Sequence, residues 1–426
     1  MSLSTSSYKG TRDLYPEDMR VRNYIFSKWR QVVESFGYEE YDAPMLEPLE
    51  LYAAKSGQEI VNDQTYRFTD RGEREVAIRP EMTPSVARMV AARRQEIALP
   101  ARLYSISNFM RYERPQKGRE REFWQLNFDL FGVENIKADI EILSLSSAVV
   151  KSFNATDDMF TIRISDRQWI DFVMRSYLGL DETRSLAMVK LFDRFEKMDR
   201  SSFNEQAADI FGADDATDGI NKINSLLVSN IEDLPAEVRG AEFASIRVVI
   251  EELAKRGVTN VTFDPTLMRG FDYYTGIVFE IFDEAPENRR AMFGGGRYDG
   301  LVGLFGVEDL PVVGAAPGET MFVEFLTAHD LLPNLQPTPQ VTVLELGDAD
   351  SSSVVTELRT NGIRVTVDFT NRKLDRKIKA AVKAGVSYVM FVGNDELTSG
   401  NFPLKNLVNG EQNTLDLEQI IVTVSS

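Results

Sequence analysis

Past residue 340 the chain alternates between runs of β-branched and aromatic residues and runs with helical spacing, which leaves few folds open. Val341 to Leu346 reads as a strand, Ser352 to Thr360 as a helix ending at Gly362, and Ile363 to Phe369 as a strand. Lys373 to Lys383 then reads as a helix ending at Gly385, and Val386 to Val392 as a strand. Alternation of this kind implies parallel strands with crossover helices, a compact α/β module. The stretch before it, Leu332 to Pro339, is rich in proline and aperiodic, and reads as a linker.

The remainder has a different grammar. Pro16 suits a first helical turn, and Val21, Ile25, Val32 and Phe36 recur on one face, with Gly37 placed to end the helix. Tyr38 to Tyr41 then looks extended. Between Tyr66 and Gly132 lie short extended segments with charged loops, the pattern of an antiparallel sheet. From about Ser165 to Gly257 apolar residues fall at three- and four-residue spacings, Met188, Phe192, Phe195 and Met198 among them, as in a helical module set between two halves of a sheet domain. Strand signals return at Val261 to Phe263 and Gly276 to Phe282.

Composition removes whole classes of chemistry. Cysteine is absent, which excludes disulfides, thiolate zinc sites and cysteine nucleophiles. The single histidine, His329, rules out histidine-rich metal sites; it is expected at the surface without a role. No apolar run approaches the roughly 20 residues of a membrane helix, and the opening Met1-Ser2-Leu3-Ser4-Thr5 has no signal-peptide character. A soluble, cytoplasmic protein is expected. The net charge of −18 argues against non-specific nucleic-acid binding but leaves room for local basic patches.

Three segments concentrate polar chemistry. Arg79-Pro80-Glu81-Met82-Thr83-Pro84 taken alone is a strand end with a turn. Arg111 to Gln125 packs four arginines and a lysine into eleven residues with Phe123 close behind, a set able to clamp phosphates while an aromatic face stacks on a base. A solvated charged hairpin would look the same. The third segment is Arg269-Gly270-Phe271-Asp272-Tyr273-Tyr274-Thr275-Gly276, followed by Gly294-Gly295-Gly296-Arg297-Tyr298-Asp299-Gly300. Triple glycine beside a strand lets a ligand approach the backbone. Neither a GxGxxG fingerprint nor a phosphate loop occurs. With no nucleophile or histidine base among these residues, catalysis would rest on positioning and charge stabilisation.

In this order the segments resemble the histidyl-tRNA synthetase family of class II aminoacyl-tRNA synthetases. Arg269 to Tyr274 is similar to that family's histidine-specific signature, Gly294 to Gly300 to its glycine-rich companion, and Arg111 to Gly132 to class II motif 2. Tyr8 to Asp13 resembles the family's opening, and Gly362 to Ala384 part of its anticodon-binding domain. The resemblance implies an α/β fold class: an α+β catalytic domain with the class II antiparallel sheet over 1–330, with a helical insertion at about 168–257, a linker at 331–339, and an α/β anticodon-binding domain over 340–426.

The same resemblance implies ATP with Mg²⁺, L-histidine and tRNA(His) as substrates and partners, no resident metal, no membrane, and a homodimer formed through Pro16 to Glu47. Catalysis would fall to Arg269 and Arg111. Glu81, Met82, Thr83, Arg111, Gln125, Asp129, Arg269, Tyr273 and Tyr274 would bind histidine. Glu81 would accept the amino group, and Asp129 with Tyr274 would read the imidazole. ATP would meet Arg111, Glu113, Arg121, Phe123 and Arg269, with Glu113 at the adenine and Phe123 stacked on it. The family's motif 3 arginine has no counterpart in Val313 to Met321, and no arginine lies between Arg297 and Arg359. Arg121 would take up part of the γ-phosphate charge. A catalytically silent relative, the regulatory subunit of ATP phosphoribosyltransferase, is the alternative; such subunits generally lack the C-terminal module.

Residues 338–426 carry nine Lys/Arg against eleven Asp/Glu, yet Arg372, Lys373, Arg376, Lys377, Lys379 and Lys383 cluster on one short helix opposed only by Asp375. The cluster follows a strand end, where α/β sheets place ligand sites. Arg372, Lys373 and Arg376 are the expected tRNA contacts; a solvated helix face is the plainer reading.

Overall fold

The computed structural model describes residues 3–53, 63–195, 198–227, 231–267, 274–288 and 290–425. The chain divides into two compact units, one comprising Met1–Asp13 and Arg22–Leu332, the other Leu14–Val21 and Pro333–Ser426.

The larger unit is built on an eight-stranded sheet. Its order is Glu39–Glu40, Ala101–Met110, Glu122–Phe131, Val312–Ala315, Ala291–Arg297, Ile277–Asp283, Phe160–Asp166 and Val261–Phe263. The first and last pairs are parallel and every pairing between them is antiparallel. The sequence Trp124-Gln125-Leu126-Asn127-Phe128-Asp129-Leu130 alternates apolar and polar residues, so the strand shows one face to each environment. Its apolar face meets the helix Pro16–Ser35: Trp124 lies 5.5 Å from Phe26 and Phe128 packs edge-on against Tyr38. The helix Glu319–Ala328 joins the same layer through Phe322, whose ring contacts Trp29, Phe153 and Phe293. Aromatic pairs of this geometry add specificity to the area they bury.

Pro16–Ser35 was expected to bury Val21, Ile25, Val32 and Phe36. It buries Ile25, Trp29 and Val33, with the other three half-buried. Trp29, four residues after Ile25, sets the stripe because its large ring needs the most cover. Helices run over Arg167–Phe172, Glu182–Phe192, Arg200–Phe211, Ala216–Leu226 and Ala241–Lys255 between the strands Phe160–Asp166 and Val261–Phe263. Thr83–Ala92, unanticipated in the sequence, is a helix directly after the Arg79–Met82 turn. His329 is a second difference. Its side chain is largely buried, with Nε2 2.7 Å from the buried Asp283 carboxylate and its ring against Phe325.

The smaller unit carries a five-stranded sheet ordered Val365–Val367, Val341–Glu345, Tyr388–Val392, Phe402–Asn406 and Gln412–Leu415. The first three strands are parallel and connected by Ser352–Thr360 and Leu374–Lys383, as the alternation requires. The last two add an antiparallel hairpin. Val341, Val343, Leu358, Met390 and Val392 are at the centre of its core, with Ile420 of the last helix packed onto them.

Gly295 is fixed by a close approach at the sheet centre. A Cβ there would stand 2.3 Å from the Gly314 carbonyl oxygen and 2.8 Å from the Ala315 Cβ, neither of which can swing away. Gly295→Ala should lower stability by about 2–5 kcal/mol. Gly318→Ala, which meets nothing within 4 Å, should stay within about 1 kcal/mol. Denaturant titration of the two variants checks the contrast.

Candidate functional site

The polar face of the same strand makes the site. In register, Asp129 stands opposite Gly314, and Gly314 opposite Gly296. Gly294, two residues back, lies on that face with Gly296, while Gly295 and Arg297 point to the other. Added side chains would collide at all three ligand-side glycines. A Cβ on Gly314 would come within 2.0 Å of Asp129 Oδ1, one on Gly294 within 2.8 Å of the Phe279 carbonyl, and one on Gly296 within 3.0 Å of the Tyr274 ring. Bare backbone therefore forms the floor on which Asp129 and Tyr274 lie. The signature's Arg297 instead faces the helical layer, bound to Asp139 and to the carbonyls of Val133 and Asn135.

Asp129 is buried and accepts a hydrogen bond from the Tyr298 hydroxyl. Burial pushes its carboxyl up to about 7, against the opposing pull of that bond. Burial, reinforced by the charges of Glu81, Glu280 and Asp129, also raises the Tyr274 hydroxyl. Tyr41 behaves alike: burial raises its hydroxyl although the ring is partly open, and the Asp129 charge adds to that rise. Asn127 Nδ2 is buried without a protein acceptor among the described residues, which leaves a donor to be satisfied. The Asp129 carboxyl, the tyrosine hydroxyls and a second buried carboxyl at Glu81 together suit a small heteroaromatic ligand carrying N–H groups.

Glu81 reaches this face through the turn that begins at Arg79. The Arg79 guanidinium is buried, donating to the Asn108 carbonyl at 2.9 Å and the Ala43 carbonyl at 2.6 Å, so it fastens the turn to the sheet. Met82 goes into an apolar cluster with Ala43 and Phe109, beside Phe123 and Tyr41. Thr83 opens the following helix and is half-buried. Gln125 pairs in register with Ser107 and bridges to Gly318.

Next to this pocket the hairpin carries the cations. Arg111 donates from Nε to the Pro80 carbonyl at 2.9 Å, and its guanidinium lies 5.2 Å from the Phe123 ring centre. Glu113 is paired with Arg119 at 3.1 Å. Arg121, expected at the nucleotide's tail, is 7% exposed; it lies 4.0 Å over the Tyr112 ring and donates to the Glu113 carbonyl and the Tyr8 hydroxyl. Its surroundings make it a brace for the hairpin. Arg269 and Tyr273 lie outside the described residues. The second set, Arg372, Lys373 and Arg376, is exposed in the smaller unit. Phe369 stands just before it and is 80% exposed, far more than packing would leave. Lys377 instead turns inward to the Asp368 carbonyl. Among the described residues no three metal-ligating side chains come together.

The raised Asp129 carboxyl has a signed consequence. Unfolded, it ionises near 4; folded, it holds its proton to about pH 7. Between those values the folded chain binds the extra proton, so this contribution to stability falls as pH rises and is lost above about pH 7. Asp129→Asn, which keeps an acceptor for Tyr298, should therefore gain on the wild type by several degrees in Tm between about pH 5.5 and about pH 8. A Tm difference independent of pH would show that Asp129 is ionised throughout.

The histidyl-tRNA synthetase family model matches residues 10–318, and the anticodon binding domain model matches residues 340–426. The histidine–tRNA ligase of Leptospira biflexa is 41% identical, covering 98% of this chain and 97% of its own. That of Halobacterium salinarum is 37% identical over 95% and 94%. The crystal structure of histidyl-tRNA synthetase from Nostoc sp. PCC 7120 shares the fold at 23% identity, with a TM-score of 0.83 over 100% of this chain and 99% of the other. Matched by that family model over most of its length and by these relatives over nearly all of it, the chain belongs to the histidyl-tRNA synthetase family.

Proposed function

We propose that the chain is a histidine–tRNA ligase, using ATP to activate L-histidine and passing the histidyl group to the 3′ end of tRNA(His). The family likeness over nearly the full length carries this reading. The histidine carboxylate attacks the α-phosphorus of ATP, and pyrophosphate leaves with the bond it breaks. The terminal ribose hydroxyl of the tRNA then attacks the activated carbonyl, and AMP leaves. Neither step needs a protein nucleophile, in keeping with a chain that has no cysteine and one histidine far from this chemistry in sequence.

Each side chain receives a part that its surroundings allow. Asp129 and Tyr274 hold the imidazole, Asp129 as the acceptor for a ring N–H. Glu81 accepts the amino group, and Gln125 and Thr83 line the same wall. Arg111, fixed over Phe123, is set to neutralise the α-phosphate while Phe123 stacks beneath the adenine and Glu113 meets its edge. Arg269 and Tyr273, outside the described residues, complete the set: Arg269 stabilises charge on the α-phosphate, Tyr273 the imidazole wall. Mg²⁺ would arrive with ATP and supply charge neutralisation at the phosphates.

In the C-terminal domain, Arg372, Lys373 and Arg376 hold anticodon-loop phosphates and the exposed Phe369 offers a stacking surface for an unpaired base. The enzyme acts as a cytoplasmic homodimer, with Met45 and Leu46, both exposed, on the joining segment. The match of residues 340–426 to an anticodon-binding domain favours the ligase over the regulatory alternative.

The test is histidine-dependent ATP–pyrophosphate exchange alongside aminoacylation. Wild type should exchange with histidine alone among the amino acids, and Arg269→Ala should lose about 3 kcal/mol or more of transition-state stabilisation. Reversing Arg372, Lys373 and Arg376 to Glu should spare exchange while weakening aminoacylation and flattening the salt dependence of tRNA binding. Absence of exchange in the wild type would refute the reading.

A further inference from the structure

The hairpin of residues 112–121 is tied down from an unexpected direction. The backbone N–H of Arg121 donates to the Gly10 carbonyl at 2.7 Å, and Arg121 Nη1 donates to the Tyr8 hydroxyl at 3.2 Å. Gly10 has φ +85, and a Cβ on it would lie 2.7 Å from the Arg121 side chain and 2.9 Å from Pro115. Only glycine lets the segment cross so closely in that conformation. Two residues on, Arg12 Nε stands 2.7 Å from the Glu120 carboxylate, and its Nη2 bonds the Glu319 carboxylate at 2.7 Å. Glu319 is 2% exposed and has a second, longer partner in Arg22 at 3.5 Å.

Charge arithmetic gives this arrangement its leverage. Glu120 and Glu319 repel one another, burial raises the Glu120 carboxyl, and Arg12 is the cation placed between them. Remove Arg12 and a carboxylate on the hairpin faces a buried carboxylate on the helix Glu319–Ala328. The hairpin tip meets that helix as well: Lys117 pairs with Glu324 at 3.3 Å and bonds Asn288, and Gln116 accepts from Arg290. The strap and the tip contacts hold opposite ends of one loop.

We propose that the amino-terminal segment Tyr8–Arg12 is a strap that holds this hairpin in its docked shape, with Arg12 the positioning residue. Resting on the ligase reading, the strap presents Arg111, Glu113 and Phe123 to ATP without supplying a group of its own. Both edges of the Arg12 guanidinium are occupied by carboxylates, which separates this role from a direct phosphate contact.

The test compares wild type, Arg12→Glu and the charge-exchanged double variant Arg12→Glu/Glu120→Arg, in which one arginine again lies between two acids. The first readout is tryptic cleavage after Lys117 and Arg119, followed by mass spectrometry on the full chain. The second is the KM for ATP in histidine-dependent exchange. Arg12→Glu should speed cleavage and raise the ATP KM, each at least about tenfold, with kcat and the histidine KM within about threefold. The double variant should restore both. Unchanged cleavage would overturn the strap. Faster cleavage with an unchanged KM would overturn its role in ATP binding. A KM defect not restored by the double variant would make Arg12 a direct ligand and overturn the proposal too. A wild type that fails to exchange would defeat the ligase reading by itself, and cleavage would still decide the strap.

Discussion

A carboxylate held in the middle of a sheet is costly, and the larger unit is arranged around that cost at Asp129. Burial disfavours its ionised form strongly enough to bring its titration to about 7. The neighbouring strand supplies glycine at 314 because a methyl group there would occupy the place of the carboxylate oxygen. Just past the next strand comes Tyr298, whose hydroxyl turns back to the same carboxylate. Gly294 and Gly296 keep the rest of that face low enough for Tyr274 to lie across it. A signature that looks like flexible glycine in sequence is, in three dimensions, a rigid floor at the depth of one backbone layer.

The charged hairpin follows a complementary logic. In a chain of net charge −18, its cations gain by being committed in advance: Arg119 to Glu113, Lys117 to Glu324, Arg121 to Tyr8 and the ring of Tyr112. Those of the pairs that face solvent contribute little to stability, but all of them fix where the loop stands. Arg111 differs by being held through a backbone carbonyl and an aromatic face, so its charge is not cancelled by an acid in these contacts. That is the arrangement expected of a guanidinium kept for a phosphate.

How much of this was legible in sequence depended on the distance between partners. The helix Ser352–Thr360 has the limits that its spacing implies, and the parallel strands flanking it follow from local alternation. The period-two pattern of Trp124 to Leu130 likewise marks one polar face before any partner is known. The segments carrying Glu81, Asp129 and Tyr274 stood out by their composition and family likeness. The contacts that tune them could not. Tyr298 and Gly314 reach Asp129 from more than a hundred positions away, and nothing local in Gly10 or Arg12 announces Arg121 or Glu319. The spacing of Val21, Ile25, Val32 and Phe36 marks a stripe in sequence, whereas the largest ring, Trp29, decides which residues are covered. His329 looks like a surface residue in sequence because its partner, Asp283, lies on a distant strand.

The central claim is that Asp129 and Glu81 on the glycine floor recognise histidine by its imidazole and its amino group. Equilibrium titration calorimetry of L-histidine tests it most directly, using the wild type, Asp129→Asn and Glu81→Gln, with folding of each variant verified by its thermal transition. Each substitution should weaken binding by at least about a hundredfold, since each leaves a desolvated polar group of the ligand without the carboxyl that pairs with it. Histidine affinities within about threefold of the wild type in both variants would place recognition elsewhere and contradict the account.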